Sequence, residues 1–328
     1  MQTHAVIPTV VLAPLAGGPS TPELAAAVAN AGGLGFVAGG YLAPNAFAER
    51  LRQARELTDG PLGANLFVLA EPELDEAALA AYARELEADG VELGEPRFDD
   101  DELAAKTEVA LASGIDVIST TFGPPPRELV LDAHAAGIAV WATVATAADA
   151  AVALDRRVDA LVVQGIEAGG HRAAFDDADE TDLPLLELLA AIRETTDVPL
   201  VASGGIGDRA AATAAREAGA DAVQAGTAFL LCPEAGTSAP HRDALQHGGE
   251  TALTRAFTGR RARGIVNEFM RAHRDAPSAY PYVHHLTAPA RAAARAAGDT
   301  ERINLWAGTA FSQARAVPAA DVVAELGA

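Results

Sequence analysis

Val162-Val163-Gln164-Gly165-Ile166-Glu167-Ala168-Gly169-Gly170-His171-Arg172 is the stretch that decides how this sequence folds. A strand-like run, Asp159 to Val163, passes directly into a polar, glycine-rich turn that ends in a histidine. In a barrel of alternating strands and helices, loops that leave the C-terminal ends of strands carry the chemistry. Gly169 and Gly170 leave the backbone bare, so a flat ligand can lie against it and bond to its N–H groups. His171 then stands at the rim as a side chain able to exchange a proton near neutral pH. Taken alone, Gly-Gly-His more often describes a tight turn or helix cap with a surface histidine, since glycine pairs mark turns far more often than sites. The remainder of the chain has to separate the two.

Working outward, the same plan recurs on both sides. Short, apolar, β-branched runs at Thr9–Ala13, Leu34–Ala38, Pro61–Val68, Ile115–Ser119 and Ile138–Val144 precede this strand, and Val198–Ala202 and Ala222–Ala225 follow it. Helical patterns lie between them over 22–31, 44–57, 72–89 with 100–113, 127–136, 146–154, 184–195 and 208–218. They carry start signals such as Thr21-Pro22 and stops at Gly32 and Gly137. This alternation predicts an α/β fold, a parallel (β/α)8 TIM barrel. A doubly wound open sheet would place G-x-G-x-x-G just after its first strand. Gly32-Gly33-Leu34-Gly35 instead precedes a strand and has the wrong spacing.

After about residue 235 the rhythm breaks. Residues 1–235 are therefore assigned to the barrel. Residues 236–328 are assigned to a polar insert, which holds Gly248-Gly249 and Phe257-Thr258-Gly259-Arg260-Arg261, and a C-terminal helical lid. Its helical stretches are expected at 265–274 and 289–297, packed on the barrel because so short a segment has little apolar material of its own.

Composition narrows the function. Half of the 328 residues are apolar, enough for a large core, and the formal net charge is −21. Such acidity argues against nucleic acid, whose phosphates need a basic face, and against anionic membranes. Lys106 is the only lysine. The acidic run 176–182 reads as a solvated loop. One cysteine, Cys232, excludes an internal disulfide and a cysteine-based zinc cluster. His284-His285 lack carboxylates at ligand spacing, so no metal site is expected. No secretory leader and no apolar run of about twenty residues is seen, which makes a cytoplasmic enzyme the expectation.

Two further loops gain meaning from position. Ser203-Gly204-Gly205-Ile206 leaves the seventh strand and Gly226-Thr227 the eighth. In barrels these loops often bind phosphate through backbone N–H groups, with hydroxyls such as Ser203 and Thr227 adding donors. A nucleotide, a sugar phosphate and a flavin mononucleotide would all fit.

Six motifs occur in order over nearly the whole chain: Ala13-Pro14-Leu15-Ala16-Gly17, Gly32-Gly33-Leu34-Gly35, Gly63-Ala64-Asn65-Leu66-Phe67, Gln164 to Arg172, Ala202 to Ile206 and Gln224-Ala225-Gly226-Thr227-Ala228-Phe229. Together they resemble the nitronate monooxygenases, formerly called 2-nitropropane dioxygenases. The sequence departs from that pattern at Leu15, where many relatives have Met, and at Ala173, where many have Gly. The resemblance implies FMN at the barrel mouth. Ala13, Pro14 and Leu15 would contact its ring through the backbone, Asn65 and Gln164 would bond near the ring, and Gly169 and Gly170 would lie beside it. Ser203, Gly204, Gly205, Gly226 and Thr227 would hold the phosphate, with Gln224 in the same stretch.

The resemblance further implies oxidative denitrification of alkyl nitronates such as propionate 3-nitronate, with O2, to a carbonyl product and nitrite. His171 matches the catalytic histidine and would either orient the nitronate or take an α-proton. Arg172 reads as a surface or structural residue, and Tyr280 and Tyr282 as side chains that could close over the substrate. A reductase on the same barrel, taking hydride from NAD(P)H for an enoyl-acyl carrier protein or quinone, is the alternative. An IMP dehydrogenase-like reading would need a nucleophilic cysteine, and Cys232 lies in an apolar run. Oligomeric state is not legible.

Overall fold

The computed structural model describes residues 7–328. Eight strands, β1 (Val10–Leu12), β2 (Gly35–Ala38), β3 (Leu62–Phe67), β4 (Val117–Thr121), β5 (Ala139–Val144), β6 (Ala160–Gln164), β7 (Leu200–Ser203) and β8 (Ala222–Ala225), form one parallel sheet. Sequential strands pair, and β1 pairs with β8. A bridge between Val11 and Leu34 brings β1 to β2, with the Leu12 N–H on the Leu34 carbonyl at 2.9 Å, so the sheet closes into the expected (β/α)8 barrel.

Side chains alternate along each strand because successive Cβ atoms point to opposite faces. Val11, Phe36, Val117, Trp141, Val162 and Val201 fill the barrel interior. Val10, Leu12, Leu161, Val163 and Leu200 meet the surrounding helices. Both faces are dry, which is why these strands read as unbroken apolar runs. The C-terminal ends break that rule. Asn65 pairs in register with Ser119, and Gln164, Ser203 and Gln224 form a row across β6, β7 and β8. All five are buried polar side chains at the mouth of the barrel.

Beyond β8 the structure differs from the sequence expectation. The segment read as a polar insert contains a β-hairpin, Thr251–Thr254 with Ala262–Ile265. Its second strand pairs with the two-residue strand Gly170–His171, Ala262 facing His171 and Arg263 facing Gly170. A strand of two residues has no periodicity to detect, so this sheet left no local signal. The helix expected over 265–274 shrinks to Glu268–Ala272, because Ile265 ends the hairpin. The helix expected from Pro289 begins at Tyr282 and runs to Ala297, with Pro289 inside it. The last helix, Ala319–Leu326, returns to the barrel, where Ala319, Val322, Val323 and Leu326 join the main core. No helix among the described residues is long and apolar enough to cross a membrane.

Candidate active site

The loop after β6 is tied down by Gln164. Its Nε2 donates to the His171 carbonyl (3.0 Å), and its Oε1 accepts from the Ala173 N–H (2.9 Å) and Arg172 Nη1 (3.0 Å). The side chain expected near a cofactor ring thus folds the loop back on its own strand while still lining the cavity. Arg172 turns away from that cavity and is structural: it is 1% exposed, donates to the Gly165 carbonyl (2.8 Å) and pairs with Asp182 at 3.2 Å. The acidic run is correspondingly no free solvated loop. Asp182 also pairs with Arg261 at 2.7 Å, and Asp177 accepts from Ser278 (2.8 Å) and pairs with Arg255 (3.4 Å). These contacts strap the loop to the hairpin.

His171 is held in an aromatic box. Phe122 lies edge-on at 5.7 Å between ring centroids, with Trp306 at 5.4 Å and Tyr280 at 5.7 Å. Its Nε2 meets Thr258 Oγ1 at 2.9 Å. Burial, reinforced by the positive charges of Arg260 and Arg291, pushes the imidazole down to about 3, so it is neutral at physiological pH. The Thr258 hydroxyl also lies 3.3 Å from the Arg260 carbonyl, so it links the His171 ring to the backbone beyond the hairpin's first strand.

Phe122 and Tyr41, both lining the cavity, hold positive φ of 78° and 66°. Non-glycine residues rarely adopt this region, and such strain collects at functional sites. Arg260 stacks over the Phe122 ring at 4.4 Å. The Tyr41 N–H donates to Asp101 (2.9 Å), which pairs with the buried Lys106 at 2.8 Å.

The other loops converge on the same cavity of about 570 Å³. It is lined by Ala13, Pro14 and Leu15, Asn65, Gln164, Gly169 and Gly170, the 203–206 turn, Gln224, and Gly226-Thr227. A Cβ on Gly169 would fall 2.5 Å from Ala307 C and Gly308 N, so only glycine lets the 306–308 segment close over the loop. Gly204 and Gly205 hold φ of 115° and 68°. Thr227 Oγ1 accepts from the Gly308 N–H (3.0 Å), which leaves its own proton to donate. Gln224 Nε2 reaches Ser203 Oγ at 3.5 Å. The N–H groups of Ala13 and Leu15 are already spent on the Ala225 carbonyl (2.8 Å) and Ser20 Oγ (2.8 Å). Contact from Ala13, Pro14 and Leu15 therefore falls to carbonyls and apolar surface. Asn65 spends Nδ2 on Ser119 Oγ (2.9 Å) and Thr121 Oγ1 (3.0 Å), and its Oδ1 has no partner among the described residues.

The two tyrosines part company. Tyr280 is buried against His171 and Phe122, its hydroxyl 3.3 Å from that of Tyr41. The Tyr282 hydroxyl donates to Glu71 at the surface (3.2 Å), and neither Tyr280 nor Tyr282 lines the cavity, Tyr280 packing behind His171 and Phe122. Cys232 is buried, and burial pushes its thiol up to about 12. Sequence reasoning missed Tyr41, Phe122, Thr258, His284, Arg291 and Trp306 as cavity residues. For two of them a signal existed: His284 and Arg291 are seven residues apart, on one helical face.

A parallel barrel whose glycine loops, buried amides and neutral histidine converge on one enclosed mouth defines a barrel enzyme with a bound-cofactor type of site. The chain belongs to the nitronate monooxygenase family, whose sequence model matches residues 1–328. It is 39% identical over 327 residues to nitronate monooxygenase of Pseudomonas aeruginosa, covering 94% of this chain and 92% of that one. It superposes on the crystal structure of nitroalkane oxidase from Streptomyces ansochromogenes with a TM-score of 0.94 at 43% identity, over 98% of this chain and 95% of that one. FabK of Thermotoga maritima shares the fold, with a TM-score of 0.74 at 22% identity over 98% of this chain and 92% of that one. The protein is an oxidoreductase that converts nitronates oxidatively.

Proposed function

We propose that the cavity holds FMN and that the protein oxidises alkyl nitronates, propionate 3-nitronate among them, with O2 to a carbonyl compound and nitrite. The observation that carries this reading is a single one. The neutral His171 opens on the same cavity that the bare backbone of 169–170, 204–205 and 226 lines. The residues fit the group. Two adjacent glycine turns and the free proton of Thr227 suit a phosphate, and the unpartnered Oδ1 of Asn65 suits a ring N–H. When bound, FMN would supply the electron exchange between nitronate and O2.

The chain's own part is orientation and proton handling. Gln164 fixes the His171 backbone and Thr258 its ring, and the neutral imidazole either hydrogen-bonds the substrate or takes an α-proton from a neutral nitroalkane. Phe122, Trp306 and Tyr280 keep water from the imidazole. Ser203, Gly204, Gly205, Gly226 and Thr227 hold the phosphate, while Ala13, Pro14 and Leu15 offer the ring an apolar wall.

The test is a purified sample with its released cofactor identified by mass. Oxygen uptake and nitrite are then followed with propionate 3-nitronate, and anaerobic bleaching with NADH and NADPH. FMN, nitrite release and no bleaching by nicotinamide support the reading. Rapid bleaching by nicotinamide without nitronate turnover would replace it with the reductase, and a protein that takes up no FMN would end it.

A further inference from the structure

The helix Tyr282–Ala297 presents His284, Ala288, Arg291, Ala292 and Arg295 to the cavity, one continuous face at helical spacing. In a chain of net charge −21 most buried cations find a carboxylate or a ring of carbonyls. Arg172 has Asp182, and Arg260 donates to the Arg172 and Ala174 carbonyls. Arg291 differs. The groups whose charge acts on it are Tyr41, Arg295 and Tyr280, none of them a carboxylate. Its Nε donates to Thr287 Oγ1 (3.0 Å) and its Nη2 to the His284 carbonyl (2.7 Å), which fixes the plane of the guanidinium. Nη1 donates to nothing among the described residues. A half-buried guanidinium that faces a cavity with no anion beside it is under-compensated, so a site built this way is completed by an anionic ligand.

The neighbours of Arg291 place that ligand toward the imidazole. The charge of Arg291 is felt by His171, whereas that of Arg295 is felt by His241. Arg295 also reaches Asn304 Oδ1 at 3.4 Å. Arg291 Nη2 lies 3.4 Å from His284 Nδ1, the His284 ring is 6.3 Å from that of Tyr280, and the Tyr280 ring is 5.7 Å from that of His171, so Arg291 belongs with the imidazole in the cavity that the glycine turns also line.

We propose that Arg291 is the residue by which this cavity recognises substrate charge: its free Nη1 binds a planar two-oxygen oxyanion, the nitronate group itself or a carboxylate on the same molecule. The two groups share shape and charge, and both suit the guanidinium fork. The inference rests on the function proposed above and names the substrate class for the same site. It also resolves how a strongly acidic protein accepts an anion, since a local cation in a dry cleft outweighs the screened field of distant surface charges.

The experiment compares the holoenzyme with R291Q and R291K. Each is titrated with propionate, a non-reacting carboxylate, while the flavin absorbance is watched, and each is assayed with ethyl nitronate and with propionate 3-nitronate. R291Q is expected to keep its cofactor, to weaken propionate binding at least about tenfold and to raise KM for propionate 3-nitronate by a similar factor, with R291K recovering part of both. A loss with both nitronates assigns the nitronate group to Arg291; a loss confined to propionate 3-nitronate assigns the carboxylate. Should R291Q not fold, R291K decides by the same criteria, since a point charge cannot reproduce the fork. Values within about threefold of wild type, or release of the cofactor by both variants, overturn the proposal. If the wild type oxidises neither nitronate, the function reading falls, and the propionate titration still decides the role of Arg291.

Discussion

His171 Nε2 and Thr258 Oγ1 lie 2.9 Å apart although 87 residues separate them in the chain. The pairing of Ala262 with His171 brings the hairpin to the loop and sets this contact. The hydroxyl anchors one ring nitrogen and so orients the imidazole, a constraint that a histidine alone on a loop would lack.

Replacing Thr258 by valine keeps the shape and removes that bond. T258V is expected to retain its cofactor and lose about five- to tenfold in kcat/KM with propionate 3-nitronate, the worth of roughly one hydrogen bond, while T258S stays near wild type. Steady-state oxygen uptake measures this. Equal rates for T258V and wild type would show that the ring needs no such anchor.

The pH dependence follows from burial. His171 is pushed down to about 3 and His241 to about 4, in each case chiefly by desolvation. In the unfolded chain both titrate near about 6.5, so below that pH the unfolded state binds more protons than the native one. Stability contributed by the neutral rings is complete above about 6.5 and drains away as the pH falls toward the folded values. Thermal midpoints recorded downward from neutral pH are expected to decline more steeply in wild type than in H171Q. The rate, in contrast, is expected to show no histidine ionisation near about 6.5; an inflection there that H171Q abolishes would contradict a neutral His171.

Gly169 and Gly170 make different demands. A methyl at 169 collides with the backbone of Ala307 and Gly308, and G169A is expected to cost about 1–3 kcal/mol or more and to disturb the cavity wall. Gly170 has φ of 77° with open space around it, so G170A costs only the left-handed backbone, about 1 kcal/mol. Urea unfolding of the two variants ranks them; a larger loss for G170A would refute the assigned close approach.

The strap is tested on its own loop. Asp182 joins Arg172 at 3.2 Å and Arg261 at 2.7 Å, and D182N leaves a buried guanidinium without its anion. Since Asp182 is itself 21% exposed, a loss at the lower end for buried pairs is expected, about 2–3 kcal/mol. Glu180, 70% exposed and 3.8 Å from Arg255, is expected to cost less than about 0.5 kcal/mol as E180Q. Similar values for both would return the run to an ordinary solvated loop.

The sequence by itself determined the barrel and the whereabouts of its mouth. Strands dry on both faces read as apolar runs such as Ala160–Val163, and the turns after β6, β7 and β8 advertise themselves through glycine. Both signals are local, written in neighbours a few residues apart, and so are legible without a fold. Gly169, Gly170, His171 and the 203–206 and 226–227 turns were found this way, and they meet at one cavity.

What only the tertiary structure decided is how that cavity is completed. Gln164 turned out to brace its own loop, Tyr282 to face Glu71, and Arg172 to anchor the acidic strap. The hairpin partner of His171, the positive φ of Tyr41 and Phe122, and the unpaired Arg291 came from outside the motifs. The contacts behind them range from nine residues, Gln164 to Ala173, to 211, Tyr282 to Glu71. The direction of a side chain is fixed by what packs against it, and periodicity records only which face is dry.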